Sequence, residues 1–300
     1  MDVLDEPAVQ QRLHYQDLIP VIAQALAALS SGKVVQPVRA VLPVAPHRGF
    51  FAVMPAYADG GAGAGAGGLG AKLVTFYPHN VGIHTHHAVI VLFKAETGEP
   101  LAVMDGRLIT EMRTAAASAV ATQRLARVDA SVLAILGSGV QAKSHLAALR
   151  HVRSFKEVRV WSPRNAPAFA QRHGVKATAT AEDAVRGADV VVVAASATTP
   201  ILHGRWLSPG THVNAIGATR PEWRELDDDL VTRARVFVDS REAALRESGD
   251  VIAARSEVTE IGAVVAGTDP GRRSAEELTL FKSVGVAVED VAAAALVLRA

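Results

Sequence analysis

The chain of 300 residues has no cysteine, only 5% aromatic residues and almost no charge imbalance, with 31 Lys and Arg against 30 Asp and Glu. Without cysteine there is no disulfide, no thiol nucleophile and no cysteine-ligated metal, and the composition suits a reducing compartment. A formal net charge of +1 supplies no basic field for nucleic acid. The longest apolar runs, "DVVVVAASA" and "VAAAALVL", fall short of the roughly 18 residues that mark a membrane span. The N-terminal "MDVLDEPAVQQ" carries acids where a secretory signal needs a basic region and an apolar stretch. The expectation is a cytoplasmic protein with neither nucleic-acid nor membrane partners. What is present is apolar bulk: 49% hydrophobic against 20% charged residues, enough for one large domain or two ordinary ones with packed cores.

Two rhythms divide the chain. Apolar residues recur at helical spacing from Tyr15 to Gly32, and then come strand-like segments at 34–44, 49–57, 71–78 and 87–106. The last reads as a hairpin turning at Glu96 to Glu99, and Thr110 is a candidate cap for the helix that follows. This half is antiparallel α+β material. From Asp129 onward short apolar strands alternate with helices: "SVLAILG", a helix over about 140–152, "EVRVWS", a helix near 165–173, "VKATAT", "AEDAVRGA", "DVVVVAAS", "THVNAIGA", a helix near 225–234, "RVFVDS" and "REAALRES". That alternation predicts a doubly wound parallel sheet covered on both faces. The closing "SVGVAVEDVAAAALVLRA" reads as a helix that returns to the first half.

Two glycine clusters compete for a nucleotide's diphosphate. In "GAGAGAGGLGAKLVTFYP" the pattern G-x-G-x-x-G occurs twice, at Gly63, Gly65 and Gly68 and at Gly65, Gly67 and Gly70. The pattern works only between a strand and a helix, whose free N–H groups and dipole then face the phosphates. Here a strand signal follows instead, so this cluster reads as a loop. "SVLAILGSGVQAKSHLAAL" has the right context: a five-residue strand, then Gly137, Gly139 and Ala142 as G-x-G-x-x-A, then a helix opening with Val140 and Gln141. Gly137 permits the tight turn, Gly139 the approach of backbone to diphosphate, and Ala142 close packing of helix on sheet. The second strand ends "VRVWSPRN", with no acid for a ribose 2′-hydroxyl but with Ser162 and Arg164, which suit a 2′-phosphate. NADPH is expected over NADH.

Three cations interrupt apolar surroundings in the first half: Arg39 in "PVRAVLPV", Lys72 in "GAKLVTFYP", and Arg113 in the first turn of the helix after Thr110. Each alone reads as a snorkelling side chain; together they suggest a receptor for a small carboxylate. "HTHH" places His84 and His86 on one strand face, a pattern compatible with a metal, but no acid or cysteine stands nearby and no metal is expected.

The segments "QPVRAV", "HRGFFAVMPAY", "ITEMRTAAASAVAT", "LGSGVQAKSH", "NAIGATRPEWRELDDDL", "VDSREAALRESGDV" and "FKSVGVAVED" resemble the ornithine cyclodeaminase/mu-crystallin family over nearly the whole chain. The resemblance implies a homodimer. It implies a dimerisation and substrate domain over 1–115 plus 283–300, a Rossmann domain over 116–282, and a site in the cleft between them. It implies that Arg39, Lys72 and Arg113 hold a substrate carboxylate, with Thr85, His86 and Arg113 near the nicotinamide. One departure bears on the reaction. Where cyclodeaminases carry an aspartate thought to act on the departing amino group, this chain has Thr219, whose hydroxyl is no acid or base near neutral pH but can hydrogen-bond substrate. The resemblance therefore implies NADPH-dependent reduction of a cyclic imino acid, Δ1-piperideine-2-carboxylate or Δ1-pyrroline-2-carboxylate. An ornithine cyclodeaminase or an alanine or related amino-acid dehydrogenase is the alternative among enzymes. A crystallin-like or thyroid-hormone-binding protein is the alternative of another class.

Overall fold

The computed structural model describes residues 1–59 and 67–300, so Gly63 and Gly65 lie outside the described residues. The chain divides into two compact units, Met1–Arg113 with Gly285–Ala300, and Thr114–Val284. No helix among the described residues is long and apolar enough to cross a membrane.

In the first unit the chain runs β1 (Asp2–Leu4), α1 (Glu6–Arg12), α2 (Tyr15–Ser30), β2 (Val34–Val35), β3 (Ala40–Val44), β4 (Gly49–Ala58), β5 (Gly68–Phe76), β6 (His86–Phe93), β7 (Pro100–Asp105) and into α3 (Arg107–Leu125). The strands form one sheet in the order β1-β7-β6-β5-β4-β2, with β3 also on β4, and every pair is antiparallel except β1 with β7. Three expectations change. The strand expected over 34–44 is two strands, because Pro37 offers no N–H to a ladder, and Arg39 sits in the break. The helix expected after Thr110 begins at Arg107: Asp105 accepts from the Leu108 N–H at 3.0 Å, while the Thr110 hydroxyl donates to Gly106 O at 2.7 Å. Arg113 therefore lies in the second turn. Finally β6 starts at His86, so His84 precedes the strand and shares no strand face with it.

The second unit continues with β8 (Val132–Leu136), α4 (Val140–Leu149), β9 (Glu157–Trp161), α5 (Ala166–His173), β10 (Lys176–Ala177), α6 (Ala181–Val185), β11 (Val190–Val193) and β12 (His212–Ala215). After these come α7 (Asp228–Arg233), β13 (Arg235–Val238), α8 (Arg241–Glu247), α9 (Gly249–Ala254), β14 (Val258–Glu260), α10 (Ile261–Val265) and β15 (Thr279–Lys282). The strand order is β10-β9-β8-β11-β12-β15-β13-β14 with every pairing parallel, so the doubly wound sheet expected from the alternation is present. β11 is four buried valines in a row, the pattern of a strand covered on both faces.

The closing helix, α11, spans Ala287–Arg299 and belongs to the first unit. Ser283–Val286, expected to be helical, stays outside it. Gly285 has φ +76°, and a Cβ there would lie 2.6 Å from the Arg113 guanidinium. Beneath α11 the end of the first glycine cluster becomes strand. A Cβ on Gly68 would meet Val291 at 3.1 Å, and one on Gly70 would meet Val91 O at 2.5 Å. These two glycines let a helix close onto β5, and the strand continues after them.

Candidate functional site

At the carboxyl edge of the parallel sheet, Leu136, Val193, Ala215 and Lys282 are paired in one row across β8, β11, β12 and β15. Ligands of open parallel sheets bind on this edge. Gly137 leaves β8 with φ +136°, and a Cβ there would lie 2.2 Å from Ala194 O, so only glycine fits. Gly139 caps α4 in an extended conformation, no side chain caps that helix, and its missing Cβ would point into open space. Ala142 is buried against the sheet, and Gln141 Oε1 is buried with no hydrogen-bond partner. A helix start with open N–H groups and a vacant approach at Gly139 fit the diphosphate of a nicotinamide dinucleotide. At the end of β9, Ser162 Oγ accepts from the Asn165 N–H at 3.1 Å and Arg164 is exposed.

The first unit holds the three cations, and the structure adds two acids that the sequence reading missed. Lys72 Nζ lies 2.7 Å from Asp290 Oδ2; Arg113 Nε lies 2.9 Å from Asp290 Oδ1, and Arg113 Nη1 lies 2.6 Å from Glu289 Oε2. Lys72 is 2% exposed and Asp290 and Glu289 are fully buried, so these are desolvated charges. Arg39 Nη2 donates to Gly285 O at 2.7 Å. With all five groups ionised the sum is three positive and two negative, leaving one positive charge for an anion. Burial pulls the Lys72 ammonium down to about 7, with Arg113 and Arg39 adding to the fall and Asp290 opposing it. Burial raises the Asp290 carboxyl, but Arg113 and Lys72 outweigh it and hold Asp290 below the usual range. Burial, then Lys72 and Arg113, push His86 down to about 3, so its ring is neutral near pH 7. The missed signal was visible: Glu289 and Asp290 stand alone as charges in "VAVEDVAAAALVL".

The expected site residues thus fall into two groups. Lys72 and Arg113 converge on Asp290, His86 feels both of their charges, and Arg39 bonds the residue packed on Arg113. Thr85 is exposed, its carbonyl accepting from the Tyr77 N–H at 2.7 Å. Gly137, Gly139, Val140, Gln141, Ala142, Ser162, Arg164 and Thr219 all belong to the second unit. Thr219 follows the row residue Ala215 and comes directly after Ala218, a non-glycine with φ +49°. That conformation costs roughly 1–2 kcal/mol.

The profile of the ornithine cyclodeaminase/mu-crystallin family matches residues 1–299. "Ketimine reductase mu-crystallin" of Mus musculus is 48% identical over 305 residues, covering 98% of this chain and 95% of its own. The structure of Thermococcus litoralis Δ1-pyrroline-2-carboxylate reductase in complex with NADH and L-proline superposes with a TM-score of 0.92 at 35% identity, covering 100% of this chain and 97% of the other. An archaeal alanine dehydrogenase dimer with bound NAD gives 0.91 at 33% identity, covering 100% and 95%. The parallel sheet, the glycine turn and the full-length match agree: the chain belongs to the ornithine cyclodeaminase/mu-crystallin family.

Proposed function

We propose that this protein uses a nicotinamide cofactor, NADPH by preference, to reduce the C=N bond of cyclic ketimine carboxylates. Its substrates are Δ1-piperideine-2-carboxylate and Δ1-pyrroline-2-carboxylate, and its products L-pipecolate and L-proline. The names of the mouse and Thermococcus relatives support this reaction class. The observation that carries the reading is the cluster of Arg39, Lys72 and Arg113 with Asp290 and Glu289, three cations against two acids, in which burial pulls the Lys72 ammonium down to about 7.

When bound, the reduced nicotinamide supplies a hydride to the imine carbon. The chain's own residues do the rest. Arg39 and Arg113 grip the substrate carboxylate, and such positioning contributes roughly 7–11 kcal/mol when alignment is good. Lys72 Nζ holds a proton for the imine nitrogen, since an iminium accepts hydride more readily than a neutral imine. Asp290 keeps that proton on Lys72 by raising its affinity for it. Thr219 hydrogen-bonds substrate but provides no carboxylate, which favours reduction over ornithine cyclisation. The α4 start, Gly139 and Gln141 would hold the diphosphate.

Arg164 would pair with a 2′-phosphate. Arg164→Ala is expected to raise KM for NADPH about tenfold and leave KM for NADH within twofold, a charge-assisted hydrogen bond being worth about 1.5 kcal/mol or more. Steady-state kinetics with both cofactors checks this.

The proposal includes a homodimer. Val3, Val35, Leu42, Tyr57, Leu73, Val89 and Leu101 are exposed, and strand registers place them on one face of the first unit's sheet, opposite the face that carries Lys72. A contiguous apolar patch of this kind marks an interface, and a two-fold axis lets it cover itself. The alanine dehydrogenase relative is described as a dimer. Leu73→Asp is expected to give a monomer by light scattering on a sizing column. A cytoplasmic location is also part of the proposal, supported by the lack of cysteine.

One assay tests the function: protein, NADPH and Δ1-piperideine-2-carboxylate, followed at the reduced-nicotinamide absorbance band. Ketimine-dependent loss of absorbance is expected. Ammonia release from ornithine would favour a cyclodeaminase, and tight triiodothyronine binding without turnover would favour a carrier.

A further inference from the structure

Lys282 ends β15 with 0% exposure, and Glu225 and Asp250 beside it are equally buried. Lys282 Nζ lies 2.6 Å from Glu225 Oε1 and 3.4 Å from Asp250 Oδ2, and it donates to the carbonyl of Gly217. Asp250 Oδ1 accepts from the backbone N–H groups of Glu225 (3.0 Å) and Leu226 (3.1 Å) and from Arg224 Nε (3.2 Å). Between these anchors the carbonyls of Arg220, Pro221 and Trp223 close on Gly249, where a Cβ would lie 2.1 Å from Trp223 O. The segment 217–226 is therefore tied at both ends to one set of buried charges.

Burying an ion cluster is poor value as stabilisation, because desolvation offsets most of the attraction and apolar replacements often do better. This cluster has a visible second role. Gly217 admits no side chain, since a Cβ would lie 2.4 Å from Glu225 Oε2 and 2.5 Å from Ala195 O, and Ala218 beside it is held at φ +49°. Such backbone persists only where its surroundings over-determine it, and it concentrates at functional sites. The turn leaves β12 on the same sheet edge as the Gly137 turn. Ser162 and Arg164 end β9, on one side of β8, whereas β12 lies on the other. A dinucleotide held with its adenosine end at Arg164 would have its nicotinamide end on the β12 side.

We propose that Lys282, acting through Glu225, is a positioning residue that sets the Gly217–Thr219 turn against the nicotinamide end of the bound cofactor. The inference rests on the ketimine reductase reading for its kinetic consequence, and on the fold alone for the placement of the turn.

The chain has three tryptophans, and Trp223 lies within the clamped segment. In a Trp161→Phe, Trp206→Phe background its emission reports the turn alone. Introducing Lys282→Met there is expected to shift Trp223 emission to the red and to abolish its response to NADPH. In the natural sequence, Lys282→Met is expected to lower kcat for Δ1-piperideine-2-carboxylate on the order of 100-fold, the cost of misplacement by about 1 Å, while Kd for NADPH stays within about twofold. Thr219→Ala is expected to lower activity in the parent and to have no further effect in Lys282→Met. Glu225→Gln, which keeps the shape of the side chain, serves if Lys282→Met does not fold, with the same shifts expected. Unmoved Trp223 emission, or Thr219 and Lys282 losses that multiply, would overturn the proposal. If the parent fails to reduce the ketimine, the functional reading falls, and the NADPH response of Trp223 alone decides whether Lys282 sets the turn.

Discussion

Asp290→Asn is expected to lower kcat/KM for Δ1-piperideine-2-carboxylate on the order of 100- to 1000-fold, with more of the loss in kcat than in KM. Removing one partner from a buried ion pair costs about 3–5 kcal/mol, because the other charge stays behind uncompensated. Here two cations lose the same carboxylate, at 2.7 and 2.9 Å. The cluster sheds the added positive charge most readily by releasing the Lys72 proton, since Asp290 is the group that raises Lys72 against the pull of burial. The carboxylate-binding charge is thereby kept while the proton for the imine nitrogen is lost. The pH dependence follows with a definite sign. In the proposed mechanism Lys72 works protonated, so in the natural sequence kcat/KM is expected to fall as pH rises through about 7. In Asp290→Asn the same fall moves to lower pH. Rate profiles of both proteins check this, and the comparison separates Lys72 from the substrate's own imine, whose titration does not depend on the variant. Glu289 still lies 2.6 Å from Arg113, so Arg113 keeps one anchor.

Gly139→Ala is expected to weaken NADPH binding by about 100-fold, or about 2.7 kcal/mol, while leaving the melting temperature unchanged. The added methyl meets nothing within 4 Å, and the backbone at Gly139 (φ −87°, ψ −165°) suits any residue, so the fold loses nothing. In the proposed site the methyl would occupy the space through which a diphosphate reaches the open N–H groups of α4. Gly137→Ala is the contrasting variant: φ +136° and a 2.2 Å clash with Ala194 O destabilise the protein itself. Calorimetric titration of NADPH, with thermal melts of both variants, reads the difference. An unaltered Kd in Gly139→Ala would place the diphosphate elsewhere.

The parallel sheet and the Gly137 turn were legible because their signals are local: an apolar strand, a fixed glycine spacing and a helix within about twenty residues. The first glycine cluster could be set aside for the same reason, since "AKLVTFYP" follows it where a helix should. Its actual role could not be read. Gly68 and Gly70 are small because α11, more than two hundred residues later, packs on them, and nothing near β5 announces that helix. Distance in sequence also hid Asp290 from Lys72. The three cations stand out as charges in apolar surroundings, and Glu289 and Asp290 do so too in an alanine-rich helix, but nothing in the sequence pairs the two sets. Lys282 was concealed differently. It ends a four-residue strand that comes last in the sheet's sequence yet lies between β12 and β13, and strand order is not written in periodicity. The helix expected from Glu111 starts four residues earlier, at Arg107, because Thr110 is a good cap in isolation, whereas the Asp105 side chain accepts from the Leu108 N–H.

Recognition of the carboxylate by buried charge is isolated by a pair of substrates. Δ1-Piperideine carries the same cyclic imine as Δ1-piperideine-2-carboxylate without the acid group. Measured side by side with saturating NADPH, the acid is expected to be reduced with a kcat/KM about 1000-fold higher, the value of roughly two charge-assisted hydrogen bonds. Equal rates for the two imines would mean that Arg39 and Arg113 do not hold the substrate carboxylate.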